Sequence, residues 1–265
     1  MTPIEETKPI KRLGQNWLRD TAIIVKMVAA AELRPTDLVV EIGPGTGAIT
    51  RPLAREAGEV IAYEIDPNLV KKLREELHWA HNVQIVEQNI LAREFTLPDR
   101  TYKVVGSLPY YITSPILEKL LLANPIAQTI VLMVQKEVAE KITAREPDGS
   151  YLGNFTRLFG EPQIIATVPP SAFFPRPQVD SAILRIKTLP EPQLPREDLE
   201  QMMVLLHAGF HDPRKQLHNS LAYGLGVDTA KAKHLLQLAN IDSERRAETL
   251  SLPEWLKLYE VIKRA

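Results

Sequence analysis

The chain has 265 residues and a formal net charge of −1, and 45% of its residues are hydrophobic, which is enough for one large domain or one domain with a small partner. It has no cysteine, which excludes a disulfide scaffold, a thiolate metal site and a cysteine nucleophile. The apolar runs are far shorter than the ~20 residues of a membrane span, and the N-terminus is polar, so we expect a soluble cytoplasmic protein without membrane contact.

The first two-thirds of the chain alternate between strand and helix patterns. The predicted strands cover 38–42, 59–65, 83–87, 102–106, 129–135, 163–168 and 180–187. The predicted helices between and before them cover 23–31, 48–56, 66–77, 114–123 and 138–144. This alternation predicts an α/β fold of the Rossmann-like type, with a mostly parallel sheet covered by helices on both faces.

The pattern changes at a proline-rich stretch that contains Pro190, Pro192 and Pro195. Such a stretch predicts a stiff, extended linker. Beyond it only helices are predicted, at 198–210, 213–222, 228–238 and 253–263. We therefore expect a catalytic domain at 1–189 and a small all-helical domain at 190–265.

Three alternating glycines lie where the first sheet strand turns into a helix, in the sequence Glu-Ile-Gly-Pro-Gly-Thr-Gly at 41–47. Gly43 and Gly45 let a ligand approach the backbone. Glu41 at the loop mouth would repel a pyrophosphate and attract a cationic ligand, which favours S-adenosylmethionine over NAD. Glu64 ends the next strand, where a carboxylate can accept both ribose hydroxyls of an adenosine-type cofactor.

The tetrapeptide Ser107, Leu108, Pro109, Tyr110 follows the fourth strand, at the edge where open parallel sheets bind ligands. Methylation of an exocyclic amine on a ring needs acceptors for its N–H groups, which the Ser107 oxygen and the Leu108 carbonyl can provide. Pro109 would fix the turn and Tyr110 would stack on a base that has left its helix. An ordinary proline turn with a core tyrosine is the alternative, and Tyr111 too is consistent with a core position.

With these motifs, the chain resembles the bacterial small-subunit (16S) rRNA adenine dimethyltransferases over almost its whole length. The matching segments are Leu-Gly-Gln-Asn-Trp-Leu at 13–18, the glycine loop at 41–47, Tyr-Glu-Ile-Asp at 63–66, Ser-Leu-Pro-Tyr at 107–110, Phe-Phe-Pro-Arg-Pro-Gln-Val-Asp-Ser at 173–181 and a basic segment at 210–220. The resemblance implies transfer of two methyl groups to N6 of each of two adjacent adenines near the 3′ end of small-subunit rRNA. It further implies S-adenosylhomocysteine as product, a pre-30S particle as substrate and a monomeric enzyme.

The resemblance also implies roles for individual residues. The expected cofactor contacts are Asn16 and Leu18 as a cover, Gly43 at the methionine part, Glu64 at the ribose, Asn89 at the adenine edge and Ser107 between cofactor and target amine, with Glu41 and Gly45 as further contacts of the glycine loop. Phe174 would sandwich the target base opposite Tyr110, and Phe173 is consistent with a core position.

Two site residues depart from the family pattern. Ser107 stands where the family has asparagine, and Asn89 stands where it usually has aspartate. Losing the charge at 89 is expected to weaken cofactor binding about tenfold, equivalent to ~1.4 kcal/mol. Two alternatives stay open: a resistance-type methylase of large-subunit rRNA, and a weakly active or non-catalytic ribosome-assembly factor of the same fold.

Basic residues cluster at two places that we expect to contact RNA, Lys11 with Arg12 and Arg214 with Lys215. The helical domain at 190–265 is expected to position the RNA. Solvated faces are the alternative for both clusters. His207 and His211 have a spacing that can bind zinc, but no third ligand is evident, so we expect no metal site.

Overall fold

The computed structural model describes residues 14–93 and 95–265. The chain forms two compact units. The first, here called the sheet unit, runs up to Ala139 and resumes at Gln163–Pro190, and the second, the helical unit, comprises Glu140–Pro162 and Glu191–Ala265. The two units separate after Pro190, close to the expected boundary, and residues 140–162 group with the helical unit. The catalytic and RNA-positioning roles of the two domains stay predictions.

The elements follow one another along the chain largely as the hydrophobic pattern predicts. In chain order they are β1 (Trp17–Leu18), α1 (Thr21–Ala30), β2 (Leu38–Ile42), α2 (Thr50–Glu56), β3 (Glu59–Glu64), α3 (Pro67–Glu76), β4 (Val83–Glu87), β5 (Lys103–Ser107), α4 (Thr113–Leu122), β6 (Thr129–Gln135), α5 (Lys136–Thr143), α6 (Tyr151–Arg157), β7 (Gly160–Val168), β8 (Phe173–Phe174), β9 (Ser181–Thr188), α7 (Leu199–Gly209), α8 (Leu217–Leu225), α9 (Thr229–Leu238) and α10 (Leu252–Arg264).

Side-chain caps explain where two of the sheet unit's helices begin. Asp20 precedes α1, and its carboxylate accepts hydrogen bonds from the backbone N–H groups of Ala22 and Ile23 at 2.9 and 3.2 Å. Asp66 precedes α3 in the same way, and Pro67 occupies the first helical position, where its missing N–H has no cost. The predicted start of α3 is therefore confirmed, and the cap places Asp66 directly after the end of β3.

Seven strands form one sheet in the order β4-β3-β2-β5-β6-β9-β7. The pairs β3/β4, β2/β3, β2/β5 and β5/β6 are parallel, and β9 runs antiparallel to β6. The strand order reverses direction at β2, which has β3 on one side and β5 on the other. In open parallel sheets the ligand crevice lies at such a point, outside the carboxyl ends of the strands. The predicted α/β fold with a mostly parallel sheet is confirmed.

The central strands carry the core of the sheet unit. All five residues of β2 are buried, and Val39, Val40, Val131 and Leu132 have no exposed surface. Strands covered by helices on both faces need apolar side chains on both sides, which is why these segments lack the alternation of a half-exposed strand. The rigid centre fixes the positions of the loops that leave β2 and β5.

The helical unit contains α6 and α7 to α10 in the part of the chain that the structure describes. A capping box starts α10. The Ser251 side chain accepts a hydrogen bond from the backbone N–H of Glu254, and the Glu254 carboxylate accepts one from the Ser251 backbone N–H at 2.8 Å. The left-handed Gly226, at φ +67°, ends α8. Within residues 14–93 and 95–265, every helix falls short of the length and apolarity that crossing a bilayer requires.

Candidate active site

A cavity of about 320 Å³ lies at the carboxyl edge of the sheet, where β2, β3, β4 and β5 end. It is lined by residues that directly follow or end each of these strands, together with the segment that precedes α1. Among the predicted site residues, the lining includes Asn16, Leu18, Gly43, Gly45, Glu64, Asn89, Ser107, Leu108, Pro109 and Tyr110. Two predicted residues, Glu41 and Phe174, are not part of this lining.

The glycine loop after β2 has a backbone that other residues rarely adopt. Gly43, Gly45 and Gly47 have φ values of +69°, +57° and +75°. A Cβ atom on Gly43 would lie 3.3 Å from the carbonyl oxygen of Ser107, and one on Gly45 would lie 3.2 Å from a ring carbon of Trp17. The loop thus passes closely between the strand that ends at Ser107 and the segment that carries Trp17, and Gly43 and Gly45 line the cavity.

Glu64 ends β3 with its carboxylate held by three backbone N–H groups. These donors belong to Gly45 at 3.1 Å, Ile65 at 2.8 Å and Asp66 at 3.0 Å. Burial raises the pKa of the Glu64 carboxyl, and the backbone hydrogen bonds oppose that rise. A carboxylate has about four acceptor positions, so this arrangement fixes its orientation and leaves capacity for a further donor from a ligand.

Asn89 lies after β4 on the rim of the cavity. Its Oδ1 accepts a hydrogen bond from the backbone N–H of Leu91 at 2.9 Å. The amide N–H groups can then donate to a ring nitrogen of an adenine, a contact that an ionised aspartate does not make. The neighbouring lining side chains Ile65 and Ile90 supply apolar surface for a purine ring.

These features fit S-adenosylmethionine. The open glycine backbone suits its methionine part, the oriented carboxylate of Glu64 suits the ribose hydroxyls, and Asn89 with its apolar neighbours suits the adenine. The cavity volume is also in the range of small-molecule sites.

Glu41 is placed differently from the expectation. It lies in β2, is only 1% exposed, and has no hydrogen-bond partner for either carboxylate oxygen. Burial raises the pKa of Glu41 to about 8, although the nearby Thr50 hydroxyl lowers the pKa of this carboxyl and Arg51 also opposes the rise. The prediction that Glu41 is a charged carboxylate at the mouth of the glycine loop is therefore wrong. The residue directly precedes the loop, but its side chain is buried in β2 and does not line the cavity.

This buried carboxyl predicts a pH dependence of stability. Because the folded protein binds the Glu41 proton more tightly than the unfolded chain, the contribution of Glu41 to stability is fully present below about pH 4.5 and is lost as pH rises to about 8. In urea unfolding, the wild type is expected to lose about 3 kcal/mol between pH 5 and pH 8 relative to Glu41→Gln, which cannot ionise. The exposed Glu56→Gln is the matched control, and parallel pH profiles of wild type and Glu41→Gln would contradict the prediction.

The tetrapeptide at 107–110 turns sharply out of β5. Ser107 is the last residue of the strand, Leu108 is buried, and Pro109 has φ −56° and ψ 133°. Tyr110 then begins a short 3₁₀ helix that ends at Ile112. The backbone carbonyl of Ser107 lies beside the glycine loop, since a Cβ atom on Gly43 would come within 3.3 Å of its oxygen, and both segments line the same cavity.

Tyr110 is fixed by a residue for which the sequence indicated no role. Its hydroxyl lies 2.6 Å from the hydroxyl oxygen of Ser181, which is fully buried at the start of β9. Burial raises the pKa of Tyr110, and the contact with Ser181 opposes that rise. Residue 181 belongs to the Val-Asp-Ser segment of the resemblance, which was the one available signal of its importance.

Phe173 has the expected core position and Phe174 does not have its expected place in the cavity. Phe173 is 4% exposed and lines the cavity, whereas Phe174 is 46% exposed and lies outside the lining. The guanidinium carbon of Arg19 lies 4.3 Å from the centre of the Phe174 ring. Both residues are in β8, and neighbouring side chains of a strand point to opposite sides. The place expected for Phe174 beside the target base is therefore not the one that the structure shows, and of the two residues only Phe173 shares the cavity lining with Tyr110.

Of the predicted RNA contacts, Lys11 and Arg12 lie outside the described residues. Arg214 and Lys215 lie in the helical unit between α7 and α8, with side chains 92% and 63% exposed, and both approach Asp212, at 3.9 and 3.5 Å. Their role in RNA binding stays a prediction.

The two histidines with zinc-like spacing instead make aromatic contacts. The His207 ring stacks on Tyr151 with 3.9 Å between ring centres, and His211 stacks on Tyr223 at 4.5 Å. In residues 14–93 and 95–265, no three His, Cys, Asp or Glu side chains are grouped so that they could hold a metal ion.

Comparisons with known proteins show the family of the chain. A family model described as ribosomal RNA adenine dimethylase matches residues 7–262. Ribosomal RNA small subunit methyltransferase A of Dehalococcoides mccartyi (strain CBDB1) is 43% identical over 255 residues, which cover 95% of this chain and 87% of that protein. The protein of the same name from Moorella thermoacetica is 39% identical over 270 residues, covering 96% of this chain and 93% of the relative.

Two solved structures extend the likeness to the fold. The 23S rRNA methyltransferase ErmE has a TM-score of 0.74 at 33% identity, covering 94% of this chain and 100% of the other. A dimethyladenosine transferase from Plasmodium falciparum has a TM-score of 0.77 at 25% identity, covering 93% and 97%. With a matching family model over nearly the whole chain and relatives above 30% identity, the chain belongs to the ribosomal RNA adenine dimethylase family.

Proposed function

We propose that this protein transfers methyl groups from S-adenosylmethionine to N6 of two adjacent adenines near the 3′ end of small-subunit (16S) rRNA, giving N6,N6-dimethyladenosines and S-adenosylhomocysteine. One observation carries the proposal: the glycine loop and the 107–110 tetrapeptide border the same cavity, and the loop passes so close to β5 that a Cβ atom on Gly43 would lie 3.3 Å from the backbone carbonyl oxygen of Ser107. A donor on the loop and an amine at the tetrapeptide would therefore share one cavity. The name of the relatives, small-subunit methyltransferase A, supports the choice of rRNA.

When bound, S-adenosylmethionine supplies an electrophilic methyl group on a sulfonium, open to in-line attack by an amine. The chain's own contribution is positioning and hydrogen-bond acceptance. The Ser107 oxygen and the Leu108 carbonyl would accept the N–H bonds of the adenine amine and draw its nitrogen out of the ring plane. The same acceptors stabilise the positive charge that develops on that nitrogen, which afterwards loses its proton to solvent.

Aromatic rings hold the base in this proposal. An adenine must leave its stack to reach the cavity, at a cost of a few kcal/mol. Tyr110 and Phe173 both line the cavity and offer faces that replace the lost stacking. The contact between Tyr110 and Ser181 keeps the tyrosine ring oriented before the base arrives.

The substrate that we propose is a pre-30S particle, on which the protein acts as a monomer. In a bacterial cell this substrate places the protein in the cytoplasm.

The proposal is tested by incubating purified protein with labelled S-adenosylmethionine and, in parallel, with small subunits and with large subunits that lack the modification. We expect label in small-subunit rRNA, at two adjacent adenines that are dimethylated. Label only in large-subunit rRNA would instead assign the activity named for the similar ErmE structure. Tight binding to small subunits without any label would indicate a non-catalytic assembly factor.

The exposed basic residues Arg214 and Lys215 lead us to expect that RNA binding depends on salt concentration. Replacing Arg214 and Lys215 together by alanine is expected to weaken binding to small-subunit rRNA and to reduce the slope of log K against log salt by about 2, because two phosphate contacts are lost. Binding is measured at several salt concentrations, with the exposed Lys231→Ala with Lys233→Ala on α9 as a charge-matched control. An unchanged slope would show that this pair does not contact the RNA.

The Tyr110 and Ser181 contact predicts non-additive kinetics. Ser181→Ala and Tyr110→Phe are each expected to lower kcat/KM for methyl transfer about 5- to 10-fold, since each removes a hydrogen bond worth about 1 kcal/mol. Because both substitutions remove the same contact, kcat/KM of the double variant should lie within about twofold of kcat/KM of either single variant. If the fold-losses of kcat/KM in the two single variants multiply in the double variant, Ser181 acts by a route other than its contact with Tyr110.

A further inference from the structure

Tyr111 is the residue next to the base-binding tetrapeptide, and the structure leaves it at the surface. It is 66% exposed, although it also forms part of the cavity lining. The preceding Tyr110 is turned inward and contacts the buried Ser181. In a 3₁₀ helix successive side chains diverge by about 120°, so one tyrosine can face the cavity while the next faces its mouth. The core position consistent with the sequence pattern is therefore wrong for Tyr111.

The backbone at Gly14 lies beside the ring of Tyr111. A Cβ atom on Gly14 would lie 3.2 Å from the Cε1 atom of Tyr111, and Gly14 has φ +62°. The Asn16 side chain donates to the Gly14 carbonyl at 3.2 Å and so holds this turn. The backbone at Gly14 thus passes close beside the ring, while most of the ring surface is open to solvent.

We propose that Tyr111 is a stacking platform for the unpaired nucleotide that flanks the target adenine in the rRNA. This inference rests on the proposed function and adds a positioning residue to it. When one of two adjacent adenines enters the cavity, its neighbour loses a stacking partner at the cavity mouth. Tyr111 presents an open aromatic face at that place, and stacking on an aromatic side chain is tolerant of base identity.

A platform of this kind acts on RNA binding and leaves the chemistry of the methyl group alone. The ring, and not the hydroxyl, provides the stacking surface, so phenylalanine should replace tyrosine and leucine should not. A nearby aromatic ring also quenches a fluorescent base analogue that stacks on it. The two properties separate the stacking role from a general effect on folding.

The test uses the full-length protein with Tyr111→Leu, Tyr111→Phe and, as matched control, Trp79→Leu, which changes an exposed aromatic residue of the sheet unit outside the cavity lining. With small subunits that lack the modification, Tyr111→Leu is expected to raise KM for the subunit at least about fivefold, equivalent to about 1 kcal/mol, without changing the dissociation constant for S-adenosylmethionine. Tyr111→Phe should restore the wild-type KM, and Trp79→Leu should leave it unaltered.

A second measurement reports stacking directly. An RNA hairpin with two adjacent loop adenines, one of them replaced by 2-aminopurine, is titrated with each protein, and the replacement is made in turn at both positions. For at least one position, the wild type and Tyr111→Phe should quench the fluorescence and Tyr111→Leu should not. Equal quenching by Tyr111→Leu, or an unchanged KM, overturns the proposal for Tyr111 while wild-type methyl transfer still supports the proposed function. A wild type that methylates no small-subunit rRNA overturns both.

Discussion

Replacing Glu64 by alanine is expected to weaken S-adenosylmethionine binding by about 100-fold or more. Hydrogen bonds to a charged acceptor contribute about 1.5 to 3 kcal/mol each, and a carboxylate at this strand end is placed to accept from ribose hydroxyls. The substitution also removes the acceptor of the N–H groups of Gly45, Ile65 and Asp66, so the glycine loop loses a tie to β3. Isothermal titration calorimetry of the variant and the wild type measures the difference.

Two further variants separate binding from folding. Glu64→Gln keeps the shape and one acceptor, so we expect an intermediate loss of about tenfold, because neutral hydrogen bonds have roughly half the strength of charge-assisted ones. Glu87→Gln changes an exposed carboxylate at the end of the adjacent strand β4 and should bind like the wild type. If Glu64→Ala keeps a cooperative urea transition and binds within threefold of the wild type, the ribose assignment fails.

Glu64 illustrates what a sequence can predict about such a site. An acid at the end of a strand that adjoins the glycine strand lies at the ligand edge whatever its rotamer, because parallel strands end together. The same logic places Gly43 and Ser107, and both line the cavity. Order along the chain and strand polarity were sufficient for these two residues, whereas Asn89, which also lines the cavity, was predicted from the resemblance.

The corrections share one physical cause. Glu41 was predicted because it adjoins the glycine loop, and Phe174 was predicted from the resemblance, but each lies in a strand, where neighbouring side chains alternate between two sides. The sequence does not show which side faces the ligand when both sides of β2 are covered, or when β8 is only two residues long. Ser181 was missed because its contact with Tyr110 joins residues 71 positions apart.

Short elements were also beyond the sequence pattern. The strands β1 and β8 pair Trp17 with Phe174 and Leu18 with Phe173, two residues each, which is too few for a period to appear. Helix α6 begins after Ser150, which accepts from the backbone N–H of Gly153 at 3.0 Å, but its seven residues include a glycine that weakens the helical signal. The pairing of β1 with β8 nevertheless brings Leu18 and Phe173 to the cavity, so these weak signals matter for function.

Replacing Ser107 by alanine is expected to lower kcat for methyl transfer about 100-fold and to leave the dissociation constant of S-adenosylmethionine within about twofold. Removing one hydrogen-bonding group that acts on transition-state charge typically costs 10²–10³ in kcat. The Leu108 carbonyl remains as a second acceptor, which favours the lower end of that range. Single-turnover transfer to small subunits lacking the modification, at saturating cofactor, measures the chemical step.

Ser107→Asn tests whether residue 107 acts as a hydrogen-bond acceptor or only fills space beside the target amine. Asparagine is the residue of the family pattern, and its carbonyl oxygen extends further from the backbone than the serine hydroxyl. Because Ser107 lines the cavity, the longer side chain has space on the ligand side, and we expect the variant to transfer methyl groups at least as fast as the wild type. Ser107→Val fills the site with a side chain that has no hydrogen-bond acceptor, so it should transfer methyl groups as slowly as Ser107→Ala. If alanine and valine at 107 both keep the wild-type rate, the Leu108 carbonyl alone would have to hold the amine, and the tetrapeptide would act through its backbone.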